Sequence, residues 1–147
     1  MDLDKTDVKI LKTLLENARL SNRQIAKKVN VSVGTAIAKI KKMETGGIIN
    51  GYSVTLDYEN LGYELTVITE IIVSKGKLLD VEKEIAKIPN VCAVYDVTGA
   101  TDAVAIAKFK NRKTLSEFTK TVLSLPFVER TNTHVVLTVV KEDYKLL

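Results

Sequence analysis

Basic side chains crowd one stretch of the chain, and their chemistry suits binding to a polyanion. Between Glu16 and Glu44 there are seven lysines and arginines and no acidic residue. Residues 1–50 hold ten basic and five acidic residues, whereas the rest holds twelve and thirteen, so the first third carries +5 and the remainder −1. Positive charge confined to one domain is typical of nucleic-acid binding. Charge alone leaves open the alternative of a lysine-rich helix surface that only faces water.

Catalytic and metal-binding chemistry has few candidate residues. Cys92 is the only cysteine and His134 the only histidine. This count excludes a disulfide framework and a zinc finger, and it leaves these two residues as the one conceivable nucleophile pair. Cysteine is more often a small buried apolar residue than a nucleophile. Because the sequence also lacks a phosphate-binding glycine loop and a metal-spaced cluster, we predict no catalytic residues, no metal site and no cofactor.

Length and composition indicate a globular protein that works in the cytoplasm. The 147 residues are 46% apolar and 27% charged, which is enough apolar surface for one core or for two small domains. No apolar run approaches the roughly 20 residues of a membrane span, so no membrane partner is expected. The polar start does not resemble a secretory signal, and a single cysteine fits a reducing compartment.

Three helices predicted in the first fifty residues must position the basic side chains. Apolar residues at three- and four-residue steps predict the first helix, capping signals predict the start of the next two, and a glycine pair ends the third. The predicted bounds are about Asp4 to Asn17, Ser21 to Val29 and Ser32 to about Thr45, followed by a hairpin wing at Ile48 to Tyr52 around an Asn-Gly turn. A short second helix, a tight break and an acid-free third helix are typical of a helix-turn-helix.

The third helix has two faces of different chemistry. Its predicted apolar face holds Val33, Ala36, Ile37, Ile40 and Met43, and the opposite face holds Thr35, Ala38, Lys39 and Lys42, with Gly34 and Lys41 toward one edge. Small side chains let a helix approach base edges, hydroxyls bond bases or phosphates, and lysines neutralise the backbone. We predict that Thr35, Lys39 and Lys42 enter a major groove. The predicted DNA-binding set is Ser21, Arg23, Ser32, Gly34, Thr35, Ala38, Lys39 and Lys42, with Ser21 and Arg23 on phosphates.

The rest of the chain contains a duplicated unit. The only two prolines lie 37 residues apart, and the pattern Ile85-x-x-Ile88-Pro89-x-Val91 recurs as Val122-x-x-Leu125-Pro126-x-Val128. Each copy predicts a helix that ends at proline and a strand that follows it. Strands are predicted at Leu65–Val73, Val91–Val97, Ala103–Phe109 and about His134–Val140. The resulting order is βαββαβ, the ferredoxin-like arrangement.

Both helices of this arrangement pack on one face of the sheet, so the other face needs a cover. Alternate apolar residues, such as Val135, Leu137 and Val139 or their neighbours, are predicted to lie on that face. A bare apolar face is unstable in water, and pairing with the same face of a second chain is the simplest solution. We therefore predict a homodimer. Cover by the N-terminal domain is the alternative, although it would obstruct the basic helix.

The turn at residues 97–102, between the central strands, is a second candidate site. Gly99 permits a left-handed backbone, and Asp102 is able to pair with an ammonium group or to cap neighbouring amides. Together these groups suit an α-amino acid, whose carboxylate would lie on N–H groups and whose amine would lie on Asp102. A plain hairpin turn explains the same residues, and the residues themselves leave both interpretations open.

Several motifs, taken in order, resemble the Lrp/AsnC family of prokaryotic transcription regulators. The similar stretches are Leu3-Asp4-Lys5-Thr6-Asp7-x-x-Ile10-Leu11, Asn17 to Val29, Val31-Ser32, Ile48 to Tyr52 and Gly99-x-x-Asp102, and together they cover nearly the whole chain. The resemblance implies an α+β protein with an N-terminal winged helix-turn-helix. This domain would occupy residues 1–52, a hinge strand 53–63, and a ferredoxin-like dimerisation and effector-sensing domain 64–147.

The resemblance also implies partners and an effector site. Members of the family bind double-stranded DNA, and their homodimers often assemble into tetramers or octamers. Amino acids or related metabolites bind between dimers, which implies effector-binding residues at Gly99, Ala100, Thr101, Asp102, Thr131 and Thr133.

Family recognition helices commonly carry Pro, Ser and a basic residue where this chain has Val33, Gly34 and Ala38, so we expect a distinct operator sequence.

Two functions from different classes follow from the sequence. The first is a sequence-specific DNA-binding transcription regulator that is not an enzyme and is modulated by an amino acid or related metabolite. The alternative is an amino-acid-binding regulatory subunit that acts on an enzyme, because ferredoxin-like modules commonly do so. The first fifty residues separate the two, since a purely regulatory module has no need of them. We therefore predict a DNA-binding regulator.

Overall fold

The computed structural model describes residues 2–147, which form two compact units. The first unit contains the chain up to Thr55 together with Glu142–Leu147, and the second spans Leu56–Lys141. These bounds differ from the predicted domains at 1–52 and 64–147. The predicted hinge at 53–63 is divided between the units, and the last six residues belong to the first unit rather than to the second.

No strand is assigned to residues 53–63, where a hinge strand is expected, and local hydrogen bonds fold residues 57–63 into a turn. Residues 58–62 are a turn. The Asp57 carboxylate accepts hydrogen bonds from the backbone N–H and the side-chain amide of Asn60, at 2.9 and 2.6 Å. The Tyr63 N–H donates to the Tyr58 carbonyl at 2.9 Å. An Asx-type turn of this kind reverses the chain where a strand would continue it.

Three helices make up most of the first unit: α1 (Lys5–Glu16), α2 (Asn22–Val29) and α3 (Val33–Thr45). The predicted caps of α2 and α3 are confirmed. Ser21 forms a capping box with Gln24, whose backbone N–H donates to Ser21 Oγ and whose side chain accepts from the Ser21 N–H. Ser32 Oγ accepts from the Thr35 N–H at 3.0 Å. Asn30 has a left-handed backbone with φ 59°, which makes the tight break between the two helices.

The core of the first unit takes two side chains from each helix. The buried cluster among the described residues is Ile10, Leu11, Ile25, Val29, Ile40 and Met43. The predicted apolar face of α3 is wrong at two positions, since Val33 and Ile37 are 41% and 45% exposed. Only Ala36, Ile40 and Met43 of that face are buried, because their steps of four and three residues align them on one stripe.

The residues after α3 do not form the predicted hairpin at Ile48 to Tyr52. The N–H groups of Ile48 and Ile49 both donate to the Met43 carbonyl, at 2.9 and 3.1 Å. No strand is assigned to residues 48–52 of the described chain. Each residue has one backbone donor, so amides that close the end of α3 are no longer available for a ladder.

The second unit confirms the predicted βαββαβ order. Its elements are β1 (Leu65–Val73), α4 (Leu78–Ala86), β2 (Val91–Asp96), β3 (Ala103–Phe109), α5 (Arg112–Ser124) and β4 (Val128–Val135). The strands form an antiparallel sheet in the order β2-β3-β1-β4. Among residues 2–147, no helix combines the length and the apolar character that crossing a membrane requires.

The last strand begins six residues before the predicted start at His134. Its pairing with β1 begins at Val73 opposite Val128 and ends at Val67 opposite Val135, followed by one bond from the Val136 N–H to the Thr66 carbonyl. Because β1 itself begins at Leu65, it offers no partners to the residues beyond. The predicted strand residues Leu137 and Val139 therefore follow the sheet rather than belong to it.

The two faces of the sheet differ in cover. In β1, Val67, Thr69, Ile71 and Val73 are buried, whereas the alternate residues are more exposed, as the two-residue period of a strand requires. The buried face packs with α4 and α5 around Phe109, whose ring centroid lies 5.1 Å from that of Phe118. The opposite face, here called the open face, is not covered by α4 or α5, the two helices of the second unit.

Candidate functional site

The N-terminal turn of α3 presents two hydroxyl groups and small side chains to solvent. Ser32 Oγ and Thr35 Oγ1 lie 2.8 Å apart, and both residues are exposed. A Cβ added at Gly34 would meet only Ser32 Oγ, at 3.9 Å, so the space above this position is open. Ala38, one turn further along, is exposed as well. A helix surface of this shape is able to approach a flat ligand edge closely, as the edges of base pairs require.

Two of the predicted basic contacts are exposed and lie near this surface in sequence. Arg23 is on the first turn of α2 and Lys42 is near the end of α3. Ser21, which precedes α2, is also exposed, and its hydroxyl contacts Gln24 Oε1 at 3.0 Å. The first turns of α2 and α3 contain no acidic residue. Amide groups at helix N-termini favour anions, so both ends suit phosphate.

Lys39 lies in a different environment from the one that the helical wheel predicted. Its ammonium nitrogen lies 2.6 Å from Asp4 Oδ2 and 2.9 Å from Asp7 Oδ1, and its side chain is 22% exposed. The hydrogen bond from Lys39 lowers the pKa of Asp4 to about 2, with help from the N–H groups of α1. The same pairs raise the pKa of Lys39 above its ordinary value. Lys39 is therefore held against α1 instead of extending from the outer face.

Sequence reasoning missed Asp4 and Asp7 as partners of α3. Their spacing does carry a signal, because an acid at the N-cap and another three residues later make a capping box, and that box is formed. Nothing in the sequence places it beside Lys39, which lies 35 and 32 residues further on. The stretch between Glu16 and Glu44 contains no acidic residue, yet the fold places two carboxylates against its Lys39.

Tyr52, the last residue of the predicted wing, makes a side-chain contact that sequence reasoning missed. It borders an open groove of about 430 Å³ in the first unit, whose apolar lining includes Leu14, Leu20 and Ile37. The phenol donates a hydrogen bond to Glu44 Oε1 at 2.8 Å. Partial burial and this hydrogen bond to a carboxylate together raise the pKa of Tyr52 to about 12. The contact fastens the segment after α3 to the end of that helix.

Tyr52 is expected to titrate later than an ordinary tyrosine, and the wild type is expected to lose stability above pH 10. The folded pKa is raised, so the stabilisation is complete below the ordinary tyrosine pKa of 10.0 and is lost as the pH rises toward about 12. The check is the ultraviolet absorbance of tyrosinate in the wild type minus that in Tyr52→Phe, which isolates Tyr52 from the other four tyrosines. A difference curve centred at pH 10 would contradict the expectation.

The loop at residues 97–102 connects β2 to β3 and uses its polar groups within the fold. Gly99 has φ +125°, the positive value for which glycine was predicted. Asp102 Oδ2 accepts from the Val73 N–H at 2.8 Å, and Thr101 Oγ1 donates to the Ile71 carbonyl at 2.9 Å. Of the two uses predicted for Asp102, the capping of a neighbouring amide is therefore present. The bond also satisfies β1 where its register with β4 shifts, between Ile72 and Val73.

The structure brings Thr131 to the same end of the sheet as this loop. Ile71 of β1 pairs with Thr131 of β4. The Ile71 carbonyl accepts hydrogen bonds from the Thr101 hydroxyl and from the Asp102 N–H. Thr133 is two residues further along β4, and its Oγ1 lies 3.1 Å from Thr69 Oγ1. Because Thr69 is buried on the helix side, both threonines face the helices rather than the open face.

The open face is less uniformly apolar than predicted. By strand alternation and cross-strand pairing, its residues are Thr66, Ile68, Glu70, Ile72, Ala93, Tyr95, Val104, Ile106, Lys108, Arg130, Asn132 and His134. Val135, predicted here, lies on the helix side because it pairs with the buried Val67. The face is apolar along its centre and polar at β4. Tyr58 covers part of it, with its ring 5.5 Å from Lys108 Nζ.

A polar cluster occupies the β4 side of the open face. Glu70 Oε2 accepts from Asn132 Nδ2 at 3.0 Å and lies 3.5 Å from His134 Nε2. These contacts, the Asn132 bond first, lower the pKa of Glu70. Cys92, which is exposed, lies on β2 at the other edge of the sheet. Three strand spacings separate the two edges, roughly 14 Å, so Cys92 and His134 cannot act as a nucleophile pair.

Family models match both units of the chain. A winged helix-turn-helix DNA-binding model matches residues 3–50, and the Lrp/AsnC ligand-binding domain matches residues 66–146. The second match covers β1 to β4 with both helices between them. The first covers α1 to α3, so the exposed outer surface of α3 lies within a match to known DNA-binding domains.

Curated relatives and solved structures match over nearly the full length. A protein of Pyrococcus furiosus named as an uncharacterized HTH-type transcriptional regulator is 51% identical, over 99% of each chain. The leucine-responsive regulatory protein of Haemophilus influenzae is 34% identical, over 95% of this chain and 87% of that protein. A transcriptional regulator of Neisseria meningitidis, solved as an L-Met complex, superposes with TM-score 0.91 at 30% identity, over 99% and 97% of the chains. The chain therefore belongs to the Lrp/AsnC family of helix-turn-helix transcriptional regulators, which are not enzymes.

Proposed function

We propose that this chain is a sequence-specific DNA-binding regulator whose α3 enters a major groove. The observation that carries the proposal is the exposed, acid-free stripe of Thr35, Ala38 and Lys42 on α3. Residues at steps of three and four share one face of a helix, so these side chains reach a ligand together. Ser32 and Gly34 leave the first turn small and rich in hydroxyls, which suits close approach to base edges.

The same proposal assigns the phosphate contacts to Ser21, Arg23 and the helix N-termini. The arginine fork and the hydroxyl are common phosphate partners, and the N-terminal ends of α2 and α3 add amide groups and partial positive charge. Phosphate contacts set the register of a protein on the duplex, whereas base contacts carry its sequence preference. Thr35 is the side chain proposed for that preference, and Lys42 is proposed to neutralise the flanking phosphates of the same groove.

Replacing Lys42 with alanine is expected to weaken binding to every DNA sequence by a similar factor. The substitution removes one phosphate neutralisation, so the slope of log affinity against log salt should become shallower by about one. The measurement is a salt series of DNA titrations followed by fluorescence anisotropy. Lys120→Ala is the matched control, because it removes the same charge from an exposed position on α5 of the second unit. An unchanged slope for Lys42→Ala would count against its contact with DNA.

We further propose that the chain forms homodimers through the open face. Ile68, Ile72, Val104, Ile106 and Tyr95 supply an apolar centre, and an isologous pairing would remove both copies of it from water. Two α3 helices would then meet successive major grooves, about one helical turn apart on a pseudo-palindromic site. Dimers would assemble further into tetramers or octamers. Sedimentation of the full chain measures the assembly, and a monomer at all concentrations would oppose the proposal.

An amino acid or related metabolite is proposed as the effector of the second unit. Support comes from the match to a ligand-binding domain and from the Neisseria relative in complex with L-Met. The proposed site comprises Gly99, Ala100, Thr101, Asp102, Thr131 and Thr133. The loop is held by the bonds of Thr101 and Asp102 to β1, so its N–H groups are fixed in place before a ligand arrives. Binding would change how dimers associate and hence how they hold DNA.

Selection of bound duplexes from a random pool, with and without the twenty amino acids, tests these proposals together. A recovered consensus with two-fold symmetry supports a DNA-binding dimer, and a regulator of chromosomal DNA would work in the cytoplasm. A change of consensus affinity or of particle size with one amino acid supports the effector. Recovery of no consensus would favour the alternative, a regulatory subunit that acts on an enzyme.

A further inference from the structure

An ion-pair cluster joins α3 to the start of α1. It consists of Lys39 with Asp4 and Asp7, at nitrogen–oxygen distances of 2.6 and 2.9 Å. The Asp7 side chain is 5% exposed and that of Lys39 22% exposed, whereas Asp4 faces solvent. The contacts link residues 35 and 32 positions apart, so they exist only because α1 and α3 pack together.

The two carboxylates are fixed before Lys39 reaches them. Asp4 Oδ1 accepts from the N–H groups of Thr6 and Asp7, at 2.7 and 2.9 Å, while its Oδ2 contacts Lys39. Asp7 Oδ2 accepts from the Asp4 N–H at 3.0 Å, while its Oδ1 contacts Lys39. Each acid therefore uses one oxygen on the end of α1 and the other on Lys39. The ammonium group is held at a rigid point rather than between two mobile side chains.

Release of Lys39 toward DNA would leave a charge without its partner. Asp7 is buried, and a buried carboxylate that loses its cation is strongly destabilising. Asp4 and Asp7 would also expose two negative charges beside a polyanion. In return Lys39 would make one contact with a phosphate, and the high dielectric of the surrounding water keeps the free energy of such a contact small. The balance therefore keeps Lys39 on α1 when the protein meets DNA.

We infer that Lys39 is a positioning residue, which sets the rotation of α3 against α1, and that it makes no contact with DNA. The inference rests on the proposed DNA-binding function. Lys39 lies four residues after Thr35 and three before Lys42, so it borders the stripe proposed to enter the groove. Fixing the helix at Lys39 fixes the direction in which Thr35 and Lys42 point. The cluster thus controls sequence discrimination through geometry and adds no charge contact of its own.

Asp7→Asn in the full chain gives opposite results for a positioning residue and for a contact. Asparagine still accepts the Asp4 N–H but weakens the hold on Lys39. For a positioning residue, affinity for the selected site should fall about fivefold, roughly 1 kcal/mol, with an unchanged salt slope and a smaller ratio of specific to non-specific affinity. If Lys39 is a withheld contact, its release should raise affinity and steepen the slope by about one. That result, or an unchanged affinity and ratio, would overturn the inference.

Substitution of Lys39 itself supplies the second test. Lys39→Gln should lower the specificity ratio with no change in salt slope, and Lys39→Arg should restore the ratio because a guanidinium forks between two carboxylates. Lys120→Gln is the control for the lost charge. Circular dichroism at the titration temperature establishes that each variant is folded, and reduced stability alone would leave the ratio unchanged. A slope shallower by about one in Lys39→Gln would identify a contact and overturn the inference. If wild type binds no DNA, the proposed function fails first, so the two failures are distinguishable.

Discussion

Replacing Ile10 with alanine is expected to weaken DNA binding by strongly destabilising the first unit while the second keeps its stability. Ile10 is fully buried in the cluster that α1, α2 and α3 share. Truncation of a buried isoleucine to alanine costs about 2–5 kcal/mol. A unit of about 60 residues is stable by roughly 3–9 kcal/mol. The substitution therefore removes a large part of the free energy that holds the three helices together.

Urea unfolding followed by circular dichroism, together with DNA titration, checks this expectation. The variant should show an early transition for the helical unit and a later one for the sheet unit. Leu15→Ala is the matched control, because Leu15 lies on α1 but is 38% exposed, and its truncation should cost less than about 2 kcal/mol. If Ile10→Ala unfolds at the same urea concentration as wild type, the core assignment is wrong.

Replacing Phe109 with alanine is expected to destabilise the second unit by about 3–5 kcal/mol. Phe109 is fully buried at the end of β3, and its ring packs at a tilt of 47° against Phe118 of α5. Removal of the ring leaves a cavity between sheet and helix and deletes the aromatic pair. The proposed dimer forms through this sheet. In sedimentation the variant dimer should therefore dissociate at a higher protein concentration than the wild-type dimer does.

Phe127→Ala provides the control with the same atoms removed. Phe127 is 49% exposed, and its ring lies over Lys77 Nζ at 5.2 Å. Its φ of 72° is unusual for phenylalanine, yet alanine also carries a Cβ, so the backbone strain remains similar in the variant. We expect a loss well below that of Phe109→Ala. Equal losses in urea unfolding would show that ring removal itself, rather than core burial, sets the effect.

Much of the fold is predictable because its signals are local. Capping at Ser21 and Ser32, the break at Asn30 and the two proline-ended repeats each act over a few residues. They locate the helices of the first unit within one or two residues, and the strand-like segments Leu65–Val73 and Ala103–Phe109 give β1 and β3 their observed bounds. These elements in order were sufficient for the family resemblance, which both family models confirm.

The strands that were predicted but not formed share a cause, namely that their backbone groups are bonded elsewhere or have no partner strand. An Asn-Gly pair predicts a hairpin, but the amides of Ile48 and Ile49 are taken by the end of α3. A run of valines predicts a strand beyond His134, but β1 begins at Leu65 and offers no partner there. The family resemblance implies a hinge strand at residues 53–63, yet Asp57 and Asn60 form a turn within that segment. Propensity cannot predict which partner is available.

The sequence by itself determined the uneven charge, the order of elements and the membership of a transcription-regulator family. Each depends on composition, on caps or on periods of two and 3.6 residues, which act within a few positions of the chain. Only the tertiary structure decided that Lys39 forms ion pairs with Asp4 and Asp7. It also decided that Asp102 accepts a hydrogen bond from the Val73 N–H and that Val135 faces the helices. These contacts join residues about 30 to 70 positions apart, and packing and strand register select them. The basic, acid-free stretch is thus a property of the sequence, whereas the side chains that each of its lysines contacts are a property of the fold.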